Sequence, residues 1–197
     1  MHTIWVFITD CGDSAVTLPL ALLALIFLFV AGQRRLGYAW VLAIGSCAIV
    51  IGGLKLVFGA CGVDIAGGHV VSPSGHTAMS TAIYGALALL AGSRLPSTRR
   101  YIVYGAAFAG IAAIALSRVV LHEHNIPEIV IGWAVGAAAV AVFALAAGRL
   151  EAPSLPFGWM LLSGIVLVAL LHGHRWKIEP AVRHLAGLFR LALPFCR

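Results

Sequence analysis

Six apolar stretches, residues 14–31, 38–58, 74–91, 101–121, 127–147 and 157–171, follow one another along this chain with only short connections between them. A bilayer crossing needs about 20 apolar residues, range about 17–25. A chain with this succession folds as an all-α polytopic transmembrane helical bundle of about six spans. The sixth stretch is the shortest, and the reading with six crossings is preferred over one in which it only dips into the membrane. The first stretch lacks a basic n-region and is too long for the core of a cleavable signal, so it reads as a retained span.

Only 10% of the 197 residues are charged and 61% are hydrophobic, whereas a soluble domain carries about a quarter charged residues. The length suffices for one bundle, residues 1–173, followed by a basic amphipathic tail, residues 174–197. The net charge of +6 is accounted for by cations flanking the membrane. No basic groove interleaved with aromatics is present, so no nucleic-acid partner is expected. The four cysteines show no CxxC or zinc-type spacing. Small residues crowd the fourth and fifth stretches ("GAAFAGIAAIA", "GWAVGAAAVAVFALAAG"), which lets helix backbones approach closely in lipid.

Lys and Arg in short loops set orientation. Arg34 and Arg35 follow the first span, and Arg94, Arg99 and Arg100 follow the third, so these two loops are expected on the cytoplasmic side. The N-terminus and residues 59–72 and 122–126 then face outward. Cys11 and Cys61 share that outer face, either bridged to each other or as two free thiols. In the tail, Ile178, Val182, Leu185, Leu188 or Phe189, and Ala192 fall on one helical face, with Pro180 suited to the first turn, the pattern of an interfacial helix.

Ionisable groups at membrane depth are costly and mark function. Outside the cytoplasmic loops and the tail they are Lys55, Asp64, His69, His76, Arg118, His122, Glu123, His124 and Glu128. All fall near the outer ends of spans two to five, in one layer of the bundle. Ser74-Gly75-His76 opens the third span. The first turn of a helix has free N–H groups and a partial positive charge. Gly75 lets an anion approach the backbone there, and Ser74 can cap the helix and also donate its hydroxyl, which together make a phosphate seat. The same residues also read as a plain capped helix start. Lys55 and Arg118 read either as snorkelling side chains or as phosphate clamps.

His124 and Glu128 are spaced i,i+4 and share a helix face. A carboxylate beneath an imidazole fixes its tautomer and leaves the other nitrogen as a nucleophile; the alternative is a polar interfacial pair. His122-Glu123-His124 also suggests a metal. Histidines at i and i+2 diverge on a helix, however, and no third strong ligand stands nearby, so no metal or other cofactor is expected.

The segments "PSGH" (73–76) and "SRVVLHEHNIPE" (117–128) resemble the second and third signature blocks of the type 2 phosphatidic acid phosphatase family, the PAP2 membrane phosphatases. The resemblance spans about residues 10–147 and implies a PAP2-like core. The third block reads Ser-Arg, five residues, His, three residues, Asp. Ser117-Arg118, His124 and Glu128 keep that spacing, with Glu in place of Asp. Lys55 fits the start of the first block, but the Arg-Pro that ends it is Gly62-Val63 here. One phosphate-touching cation is therefore missing, with His69 or tail arginines as replacements.

By this resemblance His124 attacks phosphorus and forms a phosphohistidine. His76 protonates the leaving oxygen and later activates water, and Glu128 orients His124. Lys55, Ser74, Gly75 and Arg118 hold the phosphoryl oxygens. The expected protein is a metal-independent phosphatase acting at the outer leaflet, in a bacterial inner membrane with its site facing the periplasm. Its partner is a membrane lipid: a polyprenyl, glycerophospholipid or lipid A phosphate. Two obvious cations favour a monoester. Other readings are a phosphotransferase using the same phosphohistidine, a non-catalytic headgroup binder or transporter, and an intramembrane serine protease using Ser74 with His124.

Overall fold

The computed structural model of the chain describes residues 2–61, 63–65, 68–70, 72–148, 156–176 and 178–192. In order these form α1 (His2–Asp10), α2 (Ser14–Val30), α3 (Arg34–Cys61), β1 (Val63–Ile65), β2 (Gly68–Val70), α4 (Gly75–Gly92), α5 (Ser97–Val120), α6 (Ile126–Ala147), α7 (Phe157–Leu171) and α8 (Ile178–Ala192). Helices suit lipid because each satisfies its own backbone. Joined through a short break, α1 and α2 form one apolar run, His2–Val30; with it, α3, α5 and α6 are long and apolar enough to cross a membrane, and α7 is a shorter apolar helix. The architecture is an all-α membrane bundle of about six spans. The strands add only a small antiparallel ribbon, with Asp64 opposite His69. The side chains of those two residues lie outside the described residues, as does Gly62.

At the centre sits α4, packed against α6, α5 and α3. Its close fit to α6 depends on two glycines. A Cβ at Gly132 would lie 2.5 Å from the carbonyl oxygen of Ser74, and one at Gly136 would lie 2.5 Å from that of Ala78. Backbone oxygens cannot rotate away, so only glycine permits this approach. The contact fixes the N-terminal ends of α4 and α6 against each other, and Ser74 N–H donates to the carbonyl of Glu128 (3.0 Å). Deeper in the bundle the Trp40 indole donates to the Ala21 carbonyl (3.1 Å) and meets Phe143 edge-on, tying α3 to α2 and α6.

One end of the bundle collects the arginines of the two short loops. Arg35 donates to the carbonyl of Ala146, Arg94 lies over the Phe157 ring, and Arg100 donates to the carbonyls of Gly92 and Leu95. The start of α4 and the ends of α3 and α5 stand at the other end.

Two expectations need correction. The first apolar run extends back through α1, which is too short to span by itself and so gave no span signal. The Cys11–Cys61 bridge is not formed: Cys61 is disulfide-bonded, whereas Cys11 is a free thiol. Cys11 has its carbonyl bound by the Tyr84 hydroxyl at 2.6 Å, which holds it in the α1–α2 break. The tail helix α8 is amphipathic and packs on α3; Ala186 is buried and Val182 lines a cavity with Lys55, while Leu185 and Leu188 are exposed.

Candidate active site

The segment between α5 and α6 is shaped by its own backbone. Glu123 N–H donates to the Arg118 carbonyl (3.0 Å) and His122 N–H to the Val119 carbonyl (2.9 Å). His122 stands at φ 57°. This is the Schellman closure of a helix, with His122 in the left-handed position usually given to glycine. His122 is exposed as a result, and His124 turns toward the start of α6. There Asn125 caps the helix and Glu128 completes a capping box.

Glu128 is buried and gathers donors from two elements. Its Oε2 meets His124 Nδ1 at 2.8 Å and accepts from Asn125 N–H at 3.3 Å. Its Oε1 accepts from Ser72 N–H at 2.9 Å. The extra methylene of Glu over Asp is thus in use, since the carboxylate bridges the start of α6 and the segment leading into α4. With Nδ1 committed to Glu128, Nε2 is the ring nitrogen left for chemistry. Burial, the largest influence, lowers the His124 pKa; the Glu128 hydrogen bond opposes this, and the charges of Lys55 and Arg118 lower it further.

A cavity of about 270 Å³ brings together Lys55, Gly75, His76, Arg118 and His124, with Leu18, Ile51, Met79 and Val182 as apolar lining. Five of the seven residues singled out from sequence therefore face one space, contributed by α3, α4, α5 and the α5–α6 connection. Lys55 Nζ donates to Ser72 Oγ (2.8 Å). Arg118 is braced by Thr9 of α1 (2.9 Å) and by the Glu123 carboxylate (3.7 Å). Among the described residues, no three His, Cys, Asp or Glu side chains are grouped to hold a metal ion.

The other two, Ser74 and Glu128, stand behind the cavity. Ser74 is fully buried; its hydroxyl accepts from Thr77 N–H (3.3 Å) and pairs with the Thr77 hydroxyl (3.0 Å). It caps the start of α4 and lies off the cavity lining. Ser72, two residues earlier, accepts from Lys55.

A family model described as the PAP2 superfamily matches residues 41–151, more than half of the chain. The chain belongs to the PAP2 superfamily. Members of the superfamily are phosphatases, so phosphoester hydrolysis is the chemistry of this integral-membrane PAP2 protein. A relative from Klebsiella pneumoniae, described as an uncharacterized 22.5 kDa protein in the cps region, is 29% identical over 178 residues, covering 89% of this chain and 85% of that protein. No solved structure gives a significant match.

Several groups around this PAP2 site escaped sequence reasoning: Thr9, Asp13, Ser72 and Trp176. Asp13 caps α2, its side chain accepting from Ala15 N–H, and an Asp just before an apolar run is a readable helix-start signal. Trp176 carried no such signal, whereas Arg175 is one of the tail arginines. Arg175 binds Asp10 (2.8 Å), and both line a neighbouring 250 Å³ cavity with His76 and Arg118. Trp176 lines both cavities.

Proposed function

We propose that this PAP2 protein hydrolyses a lipid phosphate or diphosphate at the outer leaflet of a bacterial inner membrane, through a phosphohistidine on His124 and without a metal. The observation that carries the proposal is the His124–Glu128 pair opening onto a cavity shared with a second histidine and two cations. His124 Nε2 attacks phosphorus as the bond to the lipid oxygen breaks, and His76 gives that oxygen its proton. Water then attacks the phosphohistidine, its proton passing to His76 and the P–N bond breaking to restore His124. Lys55, Arg118 and the first-turn N–H groups at Gly75 balance the charge on the phosphoryl oxygens as it shifts. Glu128 stabilises the cationic ring of the intermediate. The apolar lining from Leu18, Ile51 and Met79 suits the first carbons of a lipid chain, and the arginine-bearing loops at the opposite end support the outward orientation.

The test is release of inorganic phosphate by the purified protein from polyprenyl, glycerophospholipid and lipid A phosphates, with vanadate and EDTA arms. Turnover inhibited by vanadate and indifferent to EDTA is expected. Lipid binding without phosphate release would replace this reading with that of a headgroup binder, and transfer of the phosphoryl group to an added alcohol in preference to water would make it a phosphotransferase.

The environment of His124 also sets a pH profile. Attack needs the neutral ring. A pKa held below the ordinary value of about 6.5 keeps that form available in mild acid, so the acidic limb of kcat/KM should lie below about 6.5. The same shift has a stability sign: as pH falls through about 6.5 the unfolded chain takes up this proton first, so acid disfavours folding. Profiles for two phosphate esters of different acidity separate the enzyme's limb from the substrate's. A shared limb at or above about 6.5 would overturn the assignment.

A further inference from the structure

We infer that Asp13 is the positioning residue for His76, a second carboxylate–imidazole pair in the site; the inference rests on the proposed role of His76 as general acid. Asp13 lies at the α1–α2 break, outside the span of the family match. Its Oδ2 stands 3.4 Å from His76 Nε2, and its side chain is only 8% exposed. Its Oδ1 is already used, accepting from Ala15 N–H at 2.8 Å and from Trp176 N–H at 3.2 Å. One oxygen thus anchors the carboxylate to two backbones and the other is turned to the histidine.

The break itself is held firmly. A Cβ at Gly12 would lie 2.6 Å from Ile114 Cγ2 and 2.9 Å from Ser80 Oγ, so the turn is pressed between α4 and α5, and Tyr84 ties down the carbonyl of Cys11. The carboxylate cannot wander. An imidazolium has two N–H groups. With one on Asp13, the ring is oriented and its charge stabilised, leaving the other nitrogen to protonate the departing lipid oxygen. The separation is long for a hydrogen bond, as such contacts often are before substrate closes the site.

The experiment is Asp13→Asn assayed on two substrates, dodecyl phosphate and 4-nitrophenyl phosphate. Asn is as good an N-cap as Asp and keeps an oxygen for Ala15 and Trp176, so the change removes chiefly the charge facing His76. An alkoxide needs a proton to leave; nitrophenolate does not. The value of kcat/KM covers only the steps up to loss of the leaving group. It should fall about 10–100-fold on the alkyl ester and by less than about 3-fold on the aryl ester, with His76→Ala showing the same selectivity. The ratio of the two values on one preparation is independent of how much variant is folded. Parallel loss on both substrates, or no loss on either, would overturn the role of Asp13 while leaving the phosphatase standing. Wild-type protein releasing phosphate from neither would sink the phosphatase reading itself, and this role with it.

Discussion

Replacing His124 by alanine is expected to lower phosphate release by about 10⁴-fold or more, the scale on which loss of a nucleophile or its base acts in other covalent hydrolases. The proposed first step has no substitute for this ring. His76 faces the same cavity, but in the proposed mechanism it supplies the proton for the departing oxygen and is not free to attack phosphorus. The variant should still bind lipid phosphate, because Lys55, Arg118 and the start of α4 remain, so kcat should collapse while affinity stays within a few-fold. Single-turnover trapping with labelled substrate should give a phosphoenzyme from the wild type and none from the variant. Turnover near the wild-type rate would remove the nucleophile and the mechanism with it.

Glu128→Gln should come close to that loss. Ser72 N–H, Asn125 N–H and the His124 ring converge on the two carboxylate oxygens, and an amide offers only one oxygen. Either the imidazole faces an NH₂ group and takes the wrong tautomer, or a buried backbone donor is orphaned at a cost of about 1–3 kcal/mol. A comparable carboxylate-to-amide change behind a catalytic histidine costs about 10⁴ in kcat. Glu128→Asp keeps the charge but shortens the reach, so it cannot hold Ser72 and His124 together; a loss of about 10–100-fold is expected. Assays beside thermal unfolding separate the chemical from the structural part. A Gln variant within about 10-fold of wild type would show that the carboxylate is only a brace.

The bundle was legible because lipid enforces a simple code. Apolar runs of span length announced α2 to α7, and for α7 the expected limits match the observed Phe157–Leu171. The His124–Glu128 contact was legible from its spacing, but His124 stands before the Asn125 cap and not on the face of α6, so the capping turn brings the two side chains together. What stayed hidden involves residues distant in sequence. Asp13 looked like an outward-facing end residue because its histidine is on another helix. Ser72 gave no sign of its role, because the lysine it binds is 17 residues away on α3. The docking of α8 on α3 joins segments more than 100 residues apart and left no local signal.

The stretch after α7 is joined to the beginning of the chain by Arg175 on Asp10, Trp176 on Asp13 and His172 on the carbonyl of Phe7, partners 165, 163 and 165 positions apart. Contacts this far apart in sequence close long loops and reward the chain only after the intervening helices have formed. In the folded bundle they hold the α1–α2 break, and with it Asp13, against the segment that follows α7.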